Sequence, residues 1–382
     1  MDTHPLQWIE LDRASLSHNI RQFRTLAGPG TKLLAMVKAN AYGHGMSRIA
    51  PLALSEGVQW LGVHSLEEGI ALSELATGAP VLISGYVALS DLEEAVVRGL
   101  RLTVYNPETV ERLGRICRDR SLKAYIHVKV ETGTHRQGIE PAALEDLLGR
   151  LPDYPNLVLE GISSHFADIE DTTDHTYARY QLDKFQRVLA GLEKKGVRIP
   201  IRHMSCTAAA ILFQETHFDM LRVGIGLYGL WPSKETYVSC LQQDREPVKL
   251  LPVLSWKARV AQVKQVPKGA FVGYGRTFRA TRTTRLAVIP IGYSDGYPRH
   301  LSNMAHVLIS GQRAPLRGRV AMNFIAADIT DLPGVEVEDP VVLIGRSGDD
   351  QVTADMLAAW AGTINYEIVA RLNPGIPRII EG

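Results

Sequence analysis

Several chemically useful side chains stand at or just beyond the ends of short apolar runs. Lys38 follows LLAMV and precedes ANAYGHG, while Lys129 and Arg136 end and follow AYIHVKV. His165 comes after LVLEGIS, and His203, Cys206 and Thr207 come at and after IPIRHM. Arg222 and Gly224 lie inside LRVGIGL. A lysine amine taken out of water loses affinity for its proton, attacks carbonyls to form imines and can then carry protons as a base. Arginine is a permanent cation with five donors. The Gly-Ile-Gly run at 224–226 permits a tight strand exit. An isolated lysine is ordinarily a solvated surface residue, so the chemistry depends on what the surrounding elements do with Lys38.

Those elements can be read from periodicity. Eight apolar runs, LLAMVKA, WLGVH, VLISG, RLTVY, AYIHVKV, LVLEGIS, IPIRHM and LRVGIGL, read as strands. Between them lie segments of helical spacing such as SLEEGIALSELAT, SDLEEAVVRGL, NPETVERLGRICRD and HTYARYQLDKFQRVLAGLEKKG, several opening on capping residues. Alternation of strand and helix implies βα units on a parallel sheet, and eight strands in about 230 residues suit a closed (β/α)8 TIM-type barrel. Active residues in such barrels stand at the C-terminal strand ends, where the reactive types gather here.

Beyond about residue 240 the texture changes to alternating Val-, Arg- and Thr-rich runs punctuated by Gly and Pro, such as VLSWKARVAQVKQV and FRATRTTRLAVIPIG. This reads as a mostly β C-terminal domain. The expected division is a barrel over 12–238 and a β domain over 239–382, with a boundary in the polar stretch 233–247. The 382 residues are 45% hydrophobic and 22% charged, with net charge +1. That balance gives no footprint for nucleic acid or an anionic membrane. No apolar run approaches a spanning helix and the start lacks a signal-peptide pattern, so a cytoplasmic location is expected. Three widely spaced cysteines, Cys117, Cys206 and Cys240, fit a reducing compartment and suggest neither a disulfide framework nor a metal knot.

The motif AMVKANAYGHG (35–45) resembles the pyridoxal 5′-phosphate (PLP) lysine segment of bacterial alanine racemases. HVKVETGTHRQG (127–138), SSHFA (163–167), HMSCTAAA (203–210), FDMLRVGIGLYGL (218–230), VGYGRTF (272–278), IPIGYSDGYPR (289–299), GRVAMNF (318–324) and TINYE (363–367) follow in that family's order. The resemblance covers essentially the whole chain. It implies a PLP-binding barrel followed by a β domain that includes an N-terminal strand over 1–11, near WIELD.

The resemblance also implies roles. Lys38 would carry PLP as an imine. Thr207 and the amides of Gly224 and Ile225 would cradle the phosphate, with hydroxyls from Tyr42 and Tyr366. Arg222 would face the pyridine nitrogen, His165 would lie against the ring, and Arg136 would bond the phenolic oxygen. Lys129 aligns with a lysine that is carbamylated in many members. Racemisation needs acid–base groups on both faces of Cα. Lys38 would serve one face, and Tyr274, reaching in from the partner subunit of a homodimer, would serve the other. His165 is the expected cationic neighbour that activates Tyr274. The Met322 amide and Arg136 would bind the substrate carboxylate, while Tyr293, Arg299 and Arg319 would line a narrow entrance. No metal is called for.

Four positions depart from the family's usual pattern: ETGTHRQG stands for DTGMGRLG, Cys206-Thr207 for Asn-Ser, Val223 for proline and Asn323 for aspartate. The expected activity is interconversion of L- and D-alanine, supplying D-alanine for peptidoglycan or catabolising it. The alternatives are a racemase of broader range that includes serine, or a barrel-type PLP decarboxylase. Decarboxylases of that type place glutamate, not arginine, at the pyridine nitrogen. A non-catalytic PLP-binding barrel would not need the β half. A metal hydrolase built on His165, His203 and Lys129 lacks the usual HxH pair after the first strand.

Overall fold

The computed structural model describes residues 5–243 and 247–382. Residues 1–4 of the expected 1–11 strand segment, and 244–246 of the boundary stretch, lie outside the described residues. The chain forms two compact units. One comprises Met1–Ala14, Tyr42–Arg48 and Pro252–Gly382; the other comprises Ser15–Ala41 and Ile49–Leu251.

The first strand, β1 (Gln7–Asp12), belongs to the former unit. The latter holds eight parallel strands: β2 (Lys32–Met36), β3 (Trp60–Val63), β4 (Val81–Ile83), β5 (Arg101–Val104), β6 (Ala124–Lys129), β7 (Leu157–Ser163), β8 (Ile201–His203) and β9 (Met220–Val223). Each of the eight apolar runs contributes one of them. β3 and β4 are buried at every residue, as parallel strands covered on both faces should be. The order β8-β7-β6-β5-β4-β3-β2-β9 brings β9 beside β2, so the sheet curls into a near-barrel.

Among the described residues no ladder joins β8 to β9; the Arg222–His203 side-chain bond and the Arg202–Asp219 pair cross this edge. The Asp219 amide donates to the Arg202 carbonyl at 3.0 Å. The Asp219 carboxylate in turn accepts from the Arg202 amide at 2.8 Å and from its guanidinium at 2.6 and 3.1 Å. Two of the helices between the strands start on local side-chain caps. Ser65 and Glu68 form a capping box for Leu66–Glu74, and Asn106 caps Pro107–Arg120 with proline at its start.

The other unit is built on β1 and eleven later strands: β10 (Leu254–Arg259), β11 (Gln262–Val266), β12 (Phe271–Val272), β13 (Phe278–Arg279), β14 (Thr284–Ile289), β15 (His306–Ile309), β16 (Gln312–Pro315), β17 (Ile325–Asp328), β18 (Pro340–Ser347), β19 (Asp350–Val352) and β20 (Arg378–Glu381). Its main sheet runs β16-β15-β18-β10-β1-β20, with β19 on β18. β1 is antiparallel to β10 and parallel to β20, the one parallel pair of this unit's ladders among the described residues. Strand β10 alternates buried and half-buried positions, and its Trp256 packs on Tyr297 with ring centroids 5.9 Å apart. A small sheet β11-β14-β17 and the hairpin β12-β13 complete the strands, and the hairpin's connection carries Tyr274.

Asp219→Ala should lower unfolding stability by about 1–3 kcal/mol, the cost of stranding several donors, in urea melts monitored by tryptophan fluorescence. Burial raises the Asp219 carboxyl, but the Arg202 hydrogen bonds and charge outweigh it and hold the group below the usual aspartate value. Its contribution is therefore present above the unfolded-state value and lost as pH falls through the lowered folded one, so the gap between wild type and variant should shrink in acid. An equal gap at every pH would show that the pair does not close the seam.

Candidate active site

Lys38 stands two residues past the end of β2, not on it as the apolar run suggests, and opens an unusual turn. Ala39, Asn40, Ala41 and Tyr42 all have φ between 51° and 55°. This is a left-handed helical turn without glycine, which costs roughly 1–2 kcal/mol per residue. Two hydrogen bonds hold it: the Ala41 amide to the Val37 carbonyl at 2.8 Å, and the Ala39 amide to Glu68 Oε1 at 2.5 Å. Glu68 is the capping-box residue, and its other oxygen accepts from the His64 and Ser65 amides. A helix cap therefore also fixes the turn that aims Lys38. Strain maintained in this way marks a site where geometry matters more than local stability.

Around Lys38 the barrel unit gathers cations. Burial, then the charge of Arg136, lowers the Lys38 amine, with Glu68 and Glu170 opposing. Lys129, at the end of β6, falls from 10.5 to about 8 through burial and the charges of Arg222 and Arg136. His165 lies far below its ordinary value, because burial and the charges of Arg222, Lys129, Arg136 and Lys38 all disfavour its protonation. It is thus a neutral imidazole, which corrects the expectation of a cationic His165. Arg136 is exposed, on a loop pinned by Glu131. The Glu131 carboxylate accepts from the Gly133 and Thr134 amides at 2.6 and 2.7 Å.

Arg222, on β9, is held on three sides. Nη1 donates to His203 Nδ1 at 2.7 Å, and Nη2 donates to the Ser164 and Met204 carbonyls, each at 2.9 Å. His165 Nδ1 is 3.4 Å from the same Nη2. Of five guanidinium protons, Nε–H and one on Nη1 have no partner among the described residues. Nearby, Thr207 Oγ1 accepts from the Gly224 amide at 3.1 Å and the Gly226 amide at 3.4 Å, leaving its own proton to donate. Gly226 must be glycine, since a Cβ there would fall 2.5 Å from the Phe23 ring and 2.6 Å from the Thr207 methyl. The Ser205 hydroxyl is fully buried and has no partner among the described residues.

These groups fit PLP. A desolvated amine, hydroxyls and amides grouped after the seventh and eighth barrel strands, and a guanidinium with spare donors match the amine, phosphate and ring-nitrogen requirements of that cofactor.

The remaining expected residues lie in the other unit. Tyr42 and Tyr366 face one another with ring centroids 6.1 Å apart. Tyr274 is 72% exposed. A Cβ on the following Gly275 would lie 3.0 Å from the Arg319 guanidinium, which places Arg319 beside the Tyr274 turn. The Met322 carbonyl accepts from the Ser294 amide and hydroxyl, and Asn323 donates to that hydroxyl at 2.9 Å. Tyr293 and Arg299 line a cavity of about 560 Å³ with Tyr297, His300, Glu367 and Arg371.

Glu68, Glu131, His127, Glu160 and Ser205 were not singled out by sequence reasoning. A lone carboxylate followed by glycine inside the apolar strand LVLEGIS was the available signal for Glu160, since an isolated strand glycine points to a bulge or a close approach.

Residues 11–232 match the family "Alanine racemase, N-terminal domain" and residues 253–380 match "Alanine racemase, C-terminal domain". An alanine racemase of Symbiobacterium thermophilum is 40% identical over 375 residues, 98% of this chain and 97% of that protein. One from Halothermothrix orenii is 39% identical over 371 residues, 97% of this chain and 96% of that protein. Among solved structures, the Bacillus anthracis alanine racemase with bound L-Ala-P superposes with a TM-score of 0.92 at 33% identity, covering 100% of this chain and 96% of that one. A histidine racemase from Leuconostoc mesenteroides subsp. sake also superposes, with a TM-score of 0.90 at 28% identity and 99% coverage of both chains.

In carbon-dioxide-free buffer, the ¹³Cε resonance of Lys129 should titrate with a midpoint of about 8. A midpoint near the ordinary 10.5 would show that the amine is solvated or paired with an anion.

Proposed function

The chain belongs to the alanine racemase family, and on that premise we propose how its own residues divide the work of interconverting L- and D-alanine. The activity is that of a PLP-dependent isomerase. The observation that carries the assignment is Arg222, a desolvated guanidinium with two protons unspent, at the position the family gives to the pyridine nitrogen.

When bound, the cofactor draws electrons from the Cα–H bond of the amino acid attached to it. Lys38 would hold the cofactor, and its Nζ would take or return the proton on one face of Cα. Tyr274 Oη does the same on the other face. Arg222 keeps its own protons, because burial lowers it only to about 10. It would therefore leave the ring nitrogen unprotonated and limit the electron sink to brief proton removal and return. A glutamate there, as in the barrel decarboxylases, would do the opposite. Thr207, Gly224, Ile225, Tyr42 and Tyr366 would hold the phosphate, and neutral His165 would lie against the ring. Arg136 and the Met322 amide take the substrate carboxylate. Lys129, with its lowered amine, is suited to carbamate formation, and the carbamate would orient Arg136. Tyr293, Arg299 and Arg319 line the entrance. His203 has both ring nitrogens committed, to Arg222 and to His127, which removes it from any metal-hydrolase reading.

The barrel of 12–238 would thus carry the cofactor, and the β domain of 239–382, joined by 1–11, the second base. Tyr274, Phe271, Met322 and Phe324 of the β unit are all exposed, as residues awaiting a partner subunit would be. The working form in this reading is a cytoplasmic homodimer with composite sites, supplying D-alanine for peptidoglycan. No helix among the described residues is long and apolar enough to cross a membrane. The structural likeness to a histidine racemase makes pocket size, not fold, the determinant of substrate range, so slow serine turnover is expected beside alanine.

The purified protein should absorb at the edge of the visible, and borohydride should abolish the band and label Lys38. Colourless protein that stays active without PLP overturns the assignment. Tyr274→Phe should retain the cofactor yet lose L-to-D turnover by about two orders of magnitude or more, followed by α-proton exchange in deuterium oxide. Mixing Lys38→Ala and Tyr274→Phe subunits tests the composite site. Statistical mixing makes half the dimers hybrid with one intact site each, so about a quarter of wild-type activity should return. No recovery after verified subunit exchange would place Tyr274 in the same subunit's site or outside it.

A further inference from the structure

Behind Arg222, on the barrel's interior, runs a chain of hydrogen bonds that the roles above do not use. His203 Nε2 lies 2.8 Å from His127 Nδ1, and His127 Nε2 lies 3.2 Å from Glu160 Oε2. His127 has no exposed surface and His203 2%. Glu160 is 16% exposed and forms an ion pair with Arg101 at 3.4 Å. The Arg101 guanidinium in turn lies over the Trp60 and Tyr125 rings.

The backbone is shaped to make this chain. Along the β6–β7 ladder Ile126 pairs with Leu159 and His127 with Gly161, so Glu160 is the extra residue of a β-bulge. A bulge re-aims a side chain that regular pleating would send elsewhere. The next residue must be glycine, because a Cβ on Gly161 would lie 2.2 Å from His127 Nδ1.

Every donor in the chain has only one consistent direction. A guanidinium can only donate, so His203 Nδ1 accepts from Arg222. A neutral His203 then carries its proton on Nε2 and donates it to His127 Nδ1. His127 therefore carries its own proton on Nε2 and donates it to the Glu160 carboxylate. Burial and nearby Arg222 hold His203 far below its usual value, and burial also lowers His127 despite Glu160, so both rings are neutral.

We propose that Glu160, through His127, is a positioning residue for Arg222: its carboxylate fixes the tautomers of both histidines and so keeps an acceptor, not a donor, against the guanidinium. Without the carboxylate, His127 can move its proton to Nδ1. His203 would then be driven to present N–H to Arg222, and two donors would face each other. Arg222 would lose one of its three anchors and swing away from the cofactor's ring nitrogen. The inference rests on the racemase reading for its catalytic consequence, but its tautomers can be measured without any turnover.

The test is ¹⁵N-histidine NMR of the holoenzyme, with kinetics of Glu160→Leu and Glu160→Gln. Wild type should show both His127 and His203 as neutral Nε2–H tautomers. Leucine removes the acceptor and should scramble the tautomers, lowering kcat about tenfold while KM for alanine stays within about twofold. It should also shift the ¹⁵N resonance of ring-labelled PLP. Glutamine keeps an acceptor without the charge and should restore the tautomers and most of kcat. Nδ1–H tautomers in wild type, or unchanged tautomers in the leucine variant, overturn the proposal. So does a kcat loss that glutamine does not rescue. If the leucine variant does not fold, the wild-type tautomers and the glutamine variant decide alone. Ordered tautomers with no racemase activity would overturn the functional reading and leave the hydrogen-bond chain standing.

Discussion

The constraint on which the site depends is the gathering of three half-buried cations, Lys38, Lys129 and Arg222, beside an exposed fourth, Arg136. Arg136 lowers the Lys38 amine, Arg222, Arg136 and Lys38 lower that of Lys129, and among the described residues no carboxylate hydrogen-bonds directly to Arg222. Burying charge is costly, and the carboxylates of Glu68, Glu170 and Glu131 offset that cost only in part. The barrel answers in three ways. The lysines lose affinity for their protons, the two histidines nearest Arg222 stay neutral, and the Arg222 protons go to backbone carbonyls and an imidazole. What remains is a positive field that favours an anionic occupant. In the proposed reading a phosphate, a phenolate and a substrate carboxylate would supply negative charge there, so ligand binding and relief of this repulsion would be one event.

The same economy explains the strain beside Lys38. Four consecutive left-handed residues are unfavourable in isolation, yet they come between the end of a barrel strand and a stretch that joins the β unit at Tyr42–Arg48. The turn is stabilised from outside itself, by Glu68 and by Gly43. A Cβ on Gly43 would fall within 1.8 Å of the Val369 carbonyl oxygen, so the chain must pass there as glycine. A single acidic side chain thus serves a helix N-terminus and a catalytic turn together.

The barrel strands were legible because parallel strands covered on both faces must be apolar throughout, and each run stood out against its polar helices. The β half was legible from alternation, as in Leu254, Trp256 and Ala258. What was not legible follows from physics that a linear pattern does not carry. The left-handed turn is written in two alanines, an asparagine and a tyrosine, of which only the asparagine readily adopts that geometry. The excursion of 42–48 into the β unit has no compositional mark. His165 is neutral because burial strips it of water and four cations remote in sequence converge on it, and convergence is a property of the fold. The position of Lys38 beyond β2 shows the same limit at an element boundary.

Glu160 is the instructive omission. As a residue it is unremarkable, one carboxylate in LVLEGIS, and regular pleating would give it no special partner. The bulge and the glycine after it turn that carboxylate toward an imidazole that only the neighbouring strand can supply. Functional residues that contact the ligand can be guessed from type and place at a strand end. Residues that orient those contacts are defined by register, and a one-residue shift between two strands decides whether the orienting group exists at all. In this barrel the direction of a proton on His203 is set two residues away in space and on another strand. The chemistry at the mouth is therefore continuous with the packing of its interior.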